Sequence, residues 1–259
     1  MAGGGRDPGR SVTSRVLAVL GAFDADHRQL SLSEVSRRAC LPVATAARLL
    51  GELVAGEALV RRPDGRYEVG RRLWQLGLLA PVHHELREVA LPLMHDLHAA
   101  TGDVVHLAVR EGTAALYVER MVGSGSVPVL SRMGARLPLH ATGVGKVLLA
   151  QAPPEVLQAV LAELPRVTRH TIVEPGRLLR ELAEVRRRGY ARTSEEMTLG
   201  SASLAVPVRL PTSGTPIAAL GVVTPAARPR TTRLLPALQV AAAAIGRSLP
   251  GAVTSAERD

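Results

Sequence analysis

The chain has 259 residues, 46% hydrophobic and 21% charged, which describes a folded protein with room for two separate cores and excludes a disordered one. Its single cysteine, Cys40, excludes an intramolecular disulfide framework and fits a reducing compartment. The formal net charge of +9 favours a polyanionic partner, while an aromatic content of 2% argues against a stacking surface for single strands, so duplex DNA is the better expectation.

Residues 1–10, MAGGGRDPGR, read as a flexible polar tail with no hydrophobic signal core, and no apolar run approaches the ~20 residues that cross a bilayer. A cytoplasmic protein without membrane contact is expected. Ser11 to Phe23 reads as an opening helix capped by Ser11. The stretch Leu30 to Gly70 follows as two short helices and a hairpin. Ser31-Leu32-Ser33-Glu34 is a capping box, in which Ser31 and Glu34 satisfy the free N–H groups of a helix start. Ala39-Cys40-Leu41 is the turn, with Pro42 tolerated in the first turn of the next helix. There Ala46, Leu49, Leu50 and Leu53 recur at i, i+3, i+4, i+7 and form the buried stripe, which leaves Ala44, Thr45 and Arg48 facing outward. Leu59–Arg62 and Arg66–Val69 flank Pro63-Asp64-Gly65, a turn signal. Helix, turn, helix and basic hairpin together make a winged helix-turn-helix pattern, residues 11–70, whose second helix enters the major groove.

Charge alone does not locate this function. Residues 1–80 hold 12 arginines against 8 acids and residues 81–259 hold 20 basic residues against 15 acids, so the excess is spread as +4 and +5. Only Arg61, Arg62, Arg66, Arg71 and Arg72 form a local basic patch. Residues 71–80 read as a linker helix so rich in leucine that it needs a partner surface, most simply another subunit, and Pro81 ends it.

The second domain, expected over 81–250 with a flexible tail at 251–259, alternates helices and strands in an order that suggests an α+β fold with an antiparallel sheet. Helices are expected at Glu85–Ala100, Gly143–Ala150, Pro154–Leu161, Gly176–Arg188 and Thr231–Leu249. Strands are expected at Val104–Val109, Ala115–Arg120, Pro128–Arg132, Ala202–Arg209 and Ala218–Thr224. Thr142-Gly143-Val144-Gly145 brings free N–H groups to a helix start, and the glycines there would let a ligand approach the backbone. A phosphate-loop reading fails, because His140 stands at the leading glycine position and Val147 follows Lys146. Lys146, the only lysine in the chain, reads as a surface cation, with a packing or pocket-edge role as the other possibility.

The histidines at 83, 84, 95, 98 and 106 lack a completing set of cysteines or carboxylates, so no metal site is expected. Glu195 and Glu196, read as strand neighbours, would point to opposite faces. No nucleophile elbow accompanies the serines, and neither a catalytic residue nor a cofactor is expected.

The string Ser131–Ala150, SRMGARLPLHATGVGKVLLA, closely resembles the signature of the IclR family of transcriptional regulators. Gly189-Tyr190-Ala191, Glu195-Glu196, Gly200 and Ala205-Val206-Pro207-Val208 follow in the family's order, and the resemblance spans about Ser11 to Leu249. It implies an N-terminal winged helix-turn-helix, a linker helix and a C-terminal GAF-like effector domain. It further implies a dimer or tetramer that binds double-stranded operator DNA and responds to a small organic metabolite.

Carried over by position, the resemblance implies effector contacts at Val129, Leu137, Gly143, Val144, Thr193, Ser201, Ser203, Gly221 and Val223. The chain departs here from members that bind glyoxylate-type acids. Thr193 replaces an aspartate, Ser203 a cysteine, and Gly221 and Val223 replace serines. Apolar walls with few polar anchors suit a larger, less polar ligand than a two- or three-carbon acid.

On the DNA side the resemblance implies contacts from Val43, Ala44, Thr45 and Arg48, with Arg61, Arg62 and Arg66 of the wing reaching phosphates or the minor groove. Val43, Ala44 and the Thr45 methyl suit thymine methyl groups, and Arg48 suits a guanine or a phosphate. Cys40 stands where a glycine is usual. Two other readings remain: a non-specific architectural DNA-binding protein, which leaves the effector-like domain unexplained, and an enzyme on a GAF-like scaffold, which lacks an activated nucleophile.

Overall fold

The computed structural model describes residues 10–24, 26–80, 83–123, 129–212, 214–227 and 231–249. The chain falls into two units, within 1–81 and within 82–259. The expected tails lie outside the described residues except for Arg10, whose guanidinium donates to Ala39 O at 3.1 Å. Pro81 and Pro128 lie outside them too.

The first unit runs α1 (Val12–Leu20), β1 (Gln29–Leu30), α2 (Leu32–Ala39), α3 (Val43–Ala55), β2 (Leu59–Arg61), β3 (Tyr67–Val69) and α4 (Arg71–Leu78). Ser11 caps α1 by accepting from Ser14 N, and Gly21 ends it, so the expected extension to Phe23 does not form. Both halves of the Ser31/Glu34 capping box are present at α2. The cap also holds the Glu34 carboxyl below its usual range, through hydrogen bonds from Ser31. Cys40 ends α2 in the left-handed region, φ 52° and ψ 49°. There Leu41 N–H donates to Ser36 O, and Ser36 Oγ donates to Leu41 O at 2.6 Å.

Val35, Leu49, Leu50, Leu59 and Tyr67 meet α1 in one core, against which Leu53 is partly buried. The sheet of this unit has three strands in the order β1-β3-β2, so the hairpin gains a strand that periodicity did not reveal, since two residues carry no period. Residues of α4 are largely exposed, with Trp74 at 61% and Leu79 beyond its end at 78%.

The second unit contains α5 (His84–Thr101), β4 (Val104–Glu111), β5 (Ala114–Met121), β6 (Arg136–Pro138), α6 (Gly143–Leu149), α7 (Pro154–Ala162), α8 (Pro175–Arg188), β7 (Ala191–Ser194), β8 (Ser201–Arg209), β9 (Pro216–Pro225) and α9 (Thr231–Ser248). Its sheet is antiparallel with six strands in the order β6-β5-β4-β9-β8-β7, so the α+β expectation holds. Alternation along the strands sorts the two faces. Val105, Leu107, Leu204, Val206, Leu220 and Val222 pack with α5 and α9. Ala108, Tyr117, Ala205 and Ala219 pack with α6 and α8 on the other face.

Two expectations in this unit are corrected. Residues 129–132 are irregular, and the edge strand forms at Arg136–Pro138, paired with β5. Val129 and Ser131 turn inward there while Leu130 is 58% exposed, but the segment has no strand partner among the described residues to hold it in a sheet. Glu195 and Glu196 are not on a strand, because β7 stops at Ser194 and Glu195 turns left-handed at φ 57°. No helix among the described residues is long and apolar enough to cross a membrane.

Candidate functional site

On the first unit, the geometry of a DNA face is set by the start of α3. Pro42 precedes the helix, and the buried stripe Ala46, Leu49, Leu50 rotates Val43, Ala44 and Arg48 into solvent, with Thr45 half-buried. Val43 is 54% exposed, an apolar side chain more than half open to solvent. Arg48 is paired along the helix to Glu52 at 2.6 Å, a surface pair of i, i+4 spacing that contributes only ~0.5 kcal/mol and yields readily to another anion.

The wing arginines differ from one another. Arg62 pairs with Glu68 at 3.0 Å, and its Nε is buried without a partner. Arg66 donates to Gln29 O at 3.4 Å and lies 3.9 Å from Glu34. Arg61 lies over the Tyr67 ring at 5.8 Å and makes no ion pair among the described residues, which leaves its charge the most available of the three.

In the second unit, the α6 face of the sheet encloses a cavity of about 470 Å³, its mouth included. All nine residues that the family positions point to line it: Val129, Leu137, Gly143, Val144, Thr193, Ser201, Ser203, Gly221 and Val223. The sheet register explains how residues 10 to 115 apart in sequence meet. Thr193 on β7 faces Ser203 on β8, Ser203 faces Val223 on β9, and Gly221 faces His106 on β4. Thr193 Oγ1 and Ser203 Oγ share a hydrogen bond of 2.6 Å, so these two anchors are coupled. Thr142 caps α6 by accepting from Gly145 N at 3.1 Å, while the Gly143 and Val144 N–H groups have no acceptor within the helix.

The glycines here serve the packing of the protein itself, which revises the expectation of ligand approach. A Cβ on Gly145 would come within 2.4 Å of Leu139 O, one on Gly143 within 2.5 Å of Ser203 Oγ, and one on Gly221 within 2.9 Å of Val144 Cγ1. Helix α6 sits directly on the strands because those side chains are missing.

Sequence reasoning missed much of the wall: His106, Tyr117, Ser131, Thr142, Met197 and Thr198 also line the cavity. His106 is 3% exposed, shares a 2.7 Å hydrogen bond with Ser131 Oγ through Nε2, and meets the Tyr117 ring edge-on at 5.0 Å. Burial, helped by the nearby Arg120 charge, pushes its pKa down to about 3, so the imidazole is neutral at physiological pH. Burial likewise pushes the Tyr117 hydroxyl up. The signal for His106 was in the strand period, since it alternates with buried Val105 and Leu107 and so belongs to the opposite, cavity-side face.

Lys146 is the largest correction. It is fully buried, and its Nζ lies 2.6 Å from Glu196 Oε1, also buried. Burial raises the Glu196 carboxyl above its usual range, with the Lys146 charge opposing. The expected surface cation is instead a tie between α6, whose first turn lines the cavity, and the 195–200 segment, whose Met197 and Thr198 line it from another side. That segment is further held by Thr171 Oγ1 donating to Glu196 O at 2.7 Å and Thr168 Oγ1 donating to Glu195 O at 2.6 Å. Glu195 turns outward toward His170, 3.5 Å away, so the two acids have separate partners.

Comparison with known proteins agrees with this geometry. Residues 80–247 match the family described as bacterial transcriptional regulator IclR C-terminal, and residues 12–63 match the IclR helix-turn-helix domain. The chain is 32% identical over 197 residues to the HTH-type transcriptional regulator XynR of Escherichia coli K12, covering 75% of this chain and 78% of that one. It is 35% identical over 196 residues to the glycerol operon regulatory protein of Streptomyces coelicolor, covering 75% and 77%. An IclR homologue from Microbacterium hydrocarbonoxydans, solved in complex with 4-hydroxybenzoate, is 37% identical with a TM-score of 0.84, covering 91% of this chain and 98% of that one. With both of its units matched in order, the chain belongs to the IclR family of helix-turn-helix transcriptional regulators, which act through DNA binding and not through catalysis.

Proposed function

We propose that the cavity of the second unit takes a small organic monocarboxylate with an apolar, ring-sized body, and that its occupancy alters how α3 and the wing engage operator DNA. The observation that carries this reading is the composition of the cavity wall: Val129, Leu137, Val144 and Val223 surround the Thr193–Ser203 hydroxyl pair and the free N–H groups of Gly143 and Val144. Such a wall suits an apolar ligand held by a few polar contacts. Among the described residues no charged side chain lines it, and Lys146 is committed to Glu196. The aromatic acid held by the Microbacterium relative supports the same ligand class.

On the DNA side, Val43, Ala44, Thr45 and Arg48 would read bases, and Arg61, Arg62 and Arg66 would hold the backbone. Operator binding as a cytoplasmic homodimer or tetramer is favoured by the exposed apolar residues of α4, Trp74, Leu76 and Leu78. A ligand can switch such an assembly only by binding its two arrangements with different affinity.

A thermal-shift panel tests the effector class. Benzoate and 4-hydroxybenzoate should raise the melting temperature more than glyoxylate or pyruvate, and the reverse order overturns the reading. Footprinting tests the DNA half: a protected palindrome of about 10–20 bp is expected, whereas uniform protection would mark an architectural binder.

A further inference from the structure

Resting on that reading of the cavity, we infer that the buried His106–Ser131 pair is a second polar anchor, and that it selects an effector carrying a neutral hydroxyl on the end of the ring away from its carboxylate. The Thr193–Ser203 pair is on β7 and β8, whereas His106 is on β4, with β9 between β8 and β4. Ser203 and His106 are therefore two strand spacings apart across the sheet and, by the register, two residues apart along it, roughly 12 Å in all. Gly221, Val223 and Val144 fill the interval, with no polar side chain on β9 at the cavity. The cavity thus has a polar group at each side and an apolar middle, the complement of a rigid ring substituted at both ends.

The chemistry at the His106 side favours a hydroxyl over a second carboxylate. A neutral imidazole carries one donor and one acceptor, and the serine hydroxyl adds a donor and acceptor capacity. Their shared hydrogen bond uses one of each. Whichever way that proton lies, the pair retains one donor and one acceptor, which is what a hydroxyl needs and what an acceptor-only carboxylate cannot satisfy. Burial keeps the imidazole uncharged.

The test is calorimetric titration of the purified full-length protein with 4-hydroxybenzoate, benzoate and terephthalate. We expect 4-hydroxybenzoate to bind about tenfold more tightly than benzoate, with terephthalate weakest, since one satisfied buried hydroxyl is worth roughly that factor. In Ser131→Ala the ratio of the 4-hydroxybenzoate and benzoate affinities should collapse toward unity, and His106→Phe should behave in the same way. Equal binding of benzoate and 4-hydroxybenzoate by the unaltered protein overturns the assignment. So does a preference that survives both substitutions, or terephthalate binding best. If none of the three acids binds, the aromatic-acid class itself is wrong and the assignment falls with it.

Discussion

Lys146 shows how strongly one residue can depend on its surroundings. The chain's only lysine sits in α6, Gly143–Leu149, a helix buried on every side, and its ammonium is taken from water only because Glu196 meets it at 2.6 Å. The second carboxylate oxygen, Oε2, is buried away from Lys146, and the Ile172 backbone N–H also acts on this carboxylate. Removing one charge leaves the other stranded. Lys146→Met should cost about 3–5 kcal/mol, and the double variant Lys146→Met with Glu196→Leu should recover much of it; urea melts of the single and double variants measure both.

His106 carries a pH signature of opposite origin. Its folded pKa of about 3 lies below the usual 6.5, so below pH 6.5 the unfolded chain binds a proton that the folded chain refuses. Stability present above that pH is then lost as pH falls, by about 2 kcal/mol at pH 5 for this one group. His106→Phe should flatten the difference between melts at pH 7 and pH 5.

At the scale of elements, the turn and recognition helix were the most legible part of the chain. Capping box, turn and apolar stripe are local signals, and each acts within a few residues of itself. Cys40 adopts the left-handed backbone that its place before Leu41 requires. Replacing it with glycine should raise stability by about 1 kcal/mol, the strain being of that order and partly offset by the entropy of glycine; thermal melts of Cys40→Gly check this. Arg48→Ala should weaken operator binding about tenfold in gel-shift titration with little change in melting temperature, because its pair with Glu52 is exposed. Unchanged affinity would remove α3 from the groove.

Strands were less legible. β6 and β7 span three and four residues, too few for a period to show, and each is held in place by a neighbour distant in sequence.

For the whole molecule, the two units answer different questions. The first offers a basic hairpin and an open helix start; the second encloses a cavity. The residues of α4 stand between them in sequence and bury none of their large side chains, with Trp74, Leu76 and Leu78 more than half exposed. Trp74→Asp with Leu78→Asp should shift the protein toward monomer in sedimentation velocity and weaken operator binding, while each unit keeps its own melt. An assembly unaffected by both substitutions would place the subunit interface elsewhere.

The sequence by itself determined the class of fold, the helix-turn-helix and, through its resemblance to a family, the nine positions that line the cavity. Those features rest on local caps, on short-range periodicity and on motif strings that stay in order along the chain. Only the tertiary structure decided what surrounds those positions. The burial of Lys146 against Glu196, the neutral His106 held by Ser131, and the packing role of Gly143, Gly145 and Gly221 all come from sheet register and from α6 lying on the strands. Apart from Gly145 against Leu139, these join residues 25 to 77 apart in sequence, a range over which no local propensity acts. Desolvation, which sets whether a lysine or a histidine is charged, is a property of the folded interior alone.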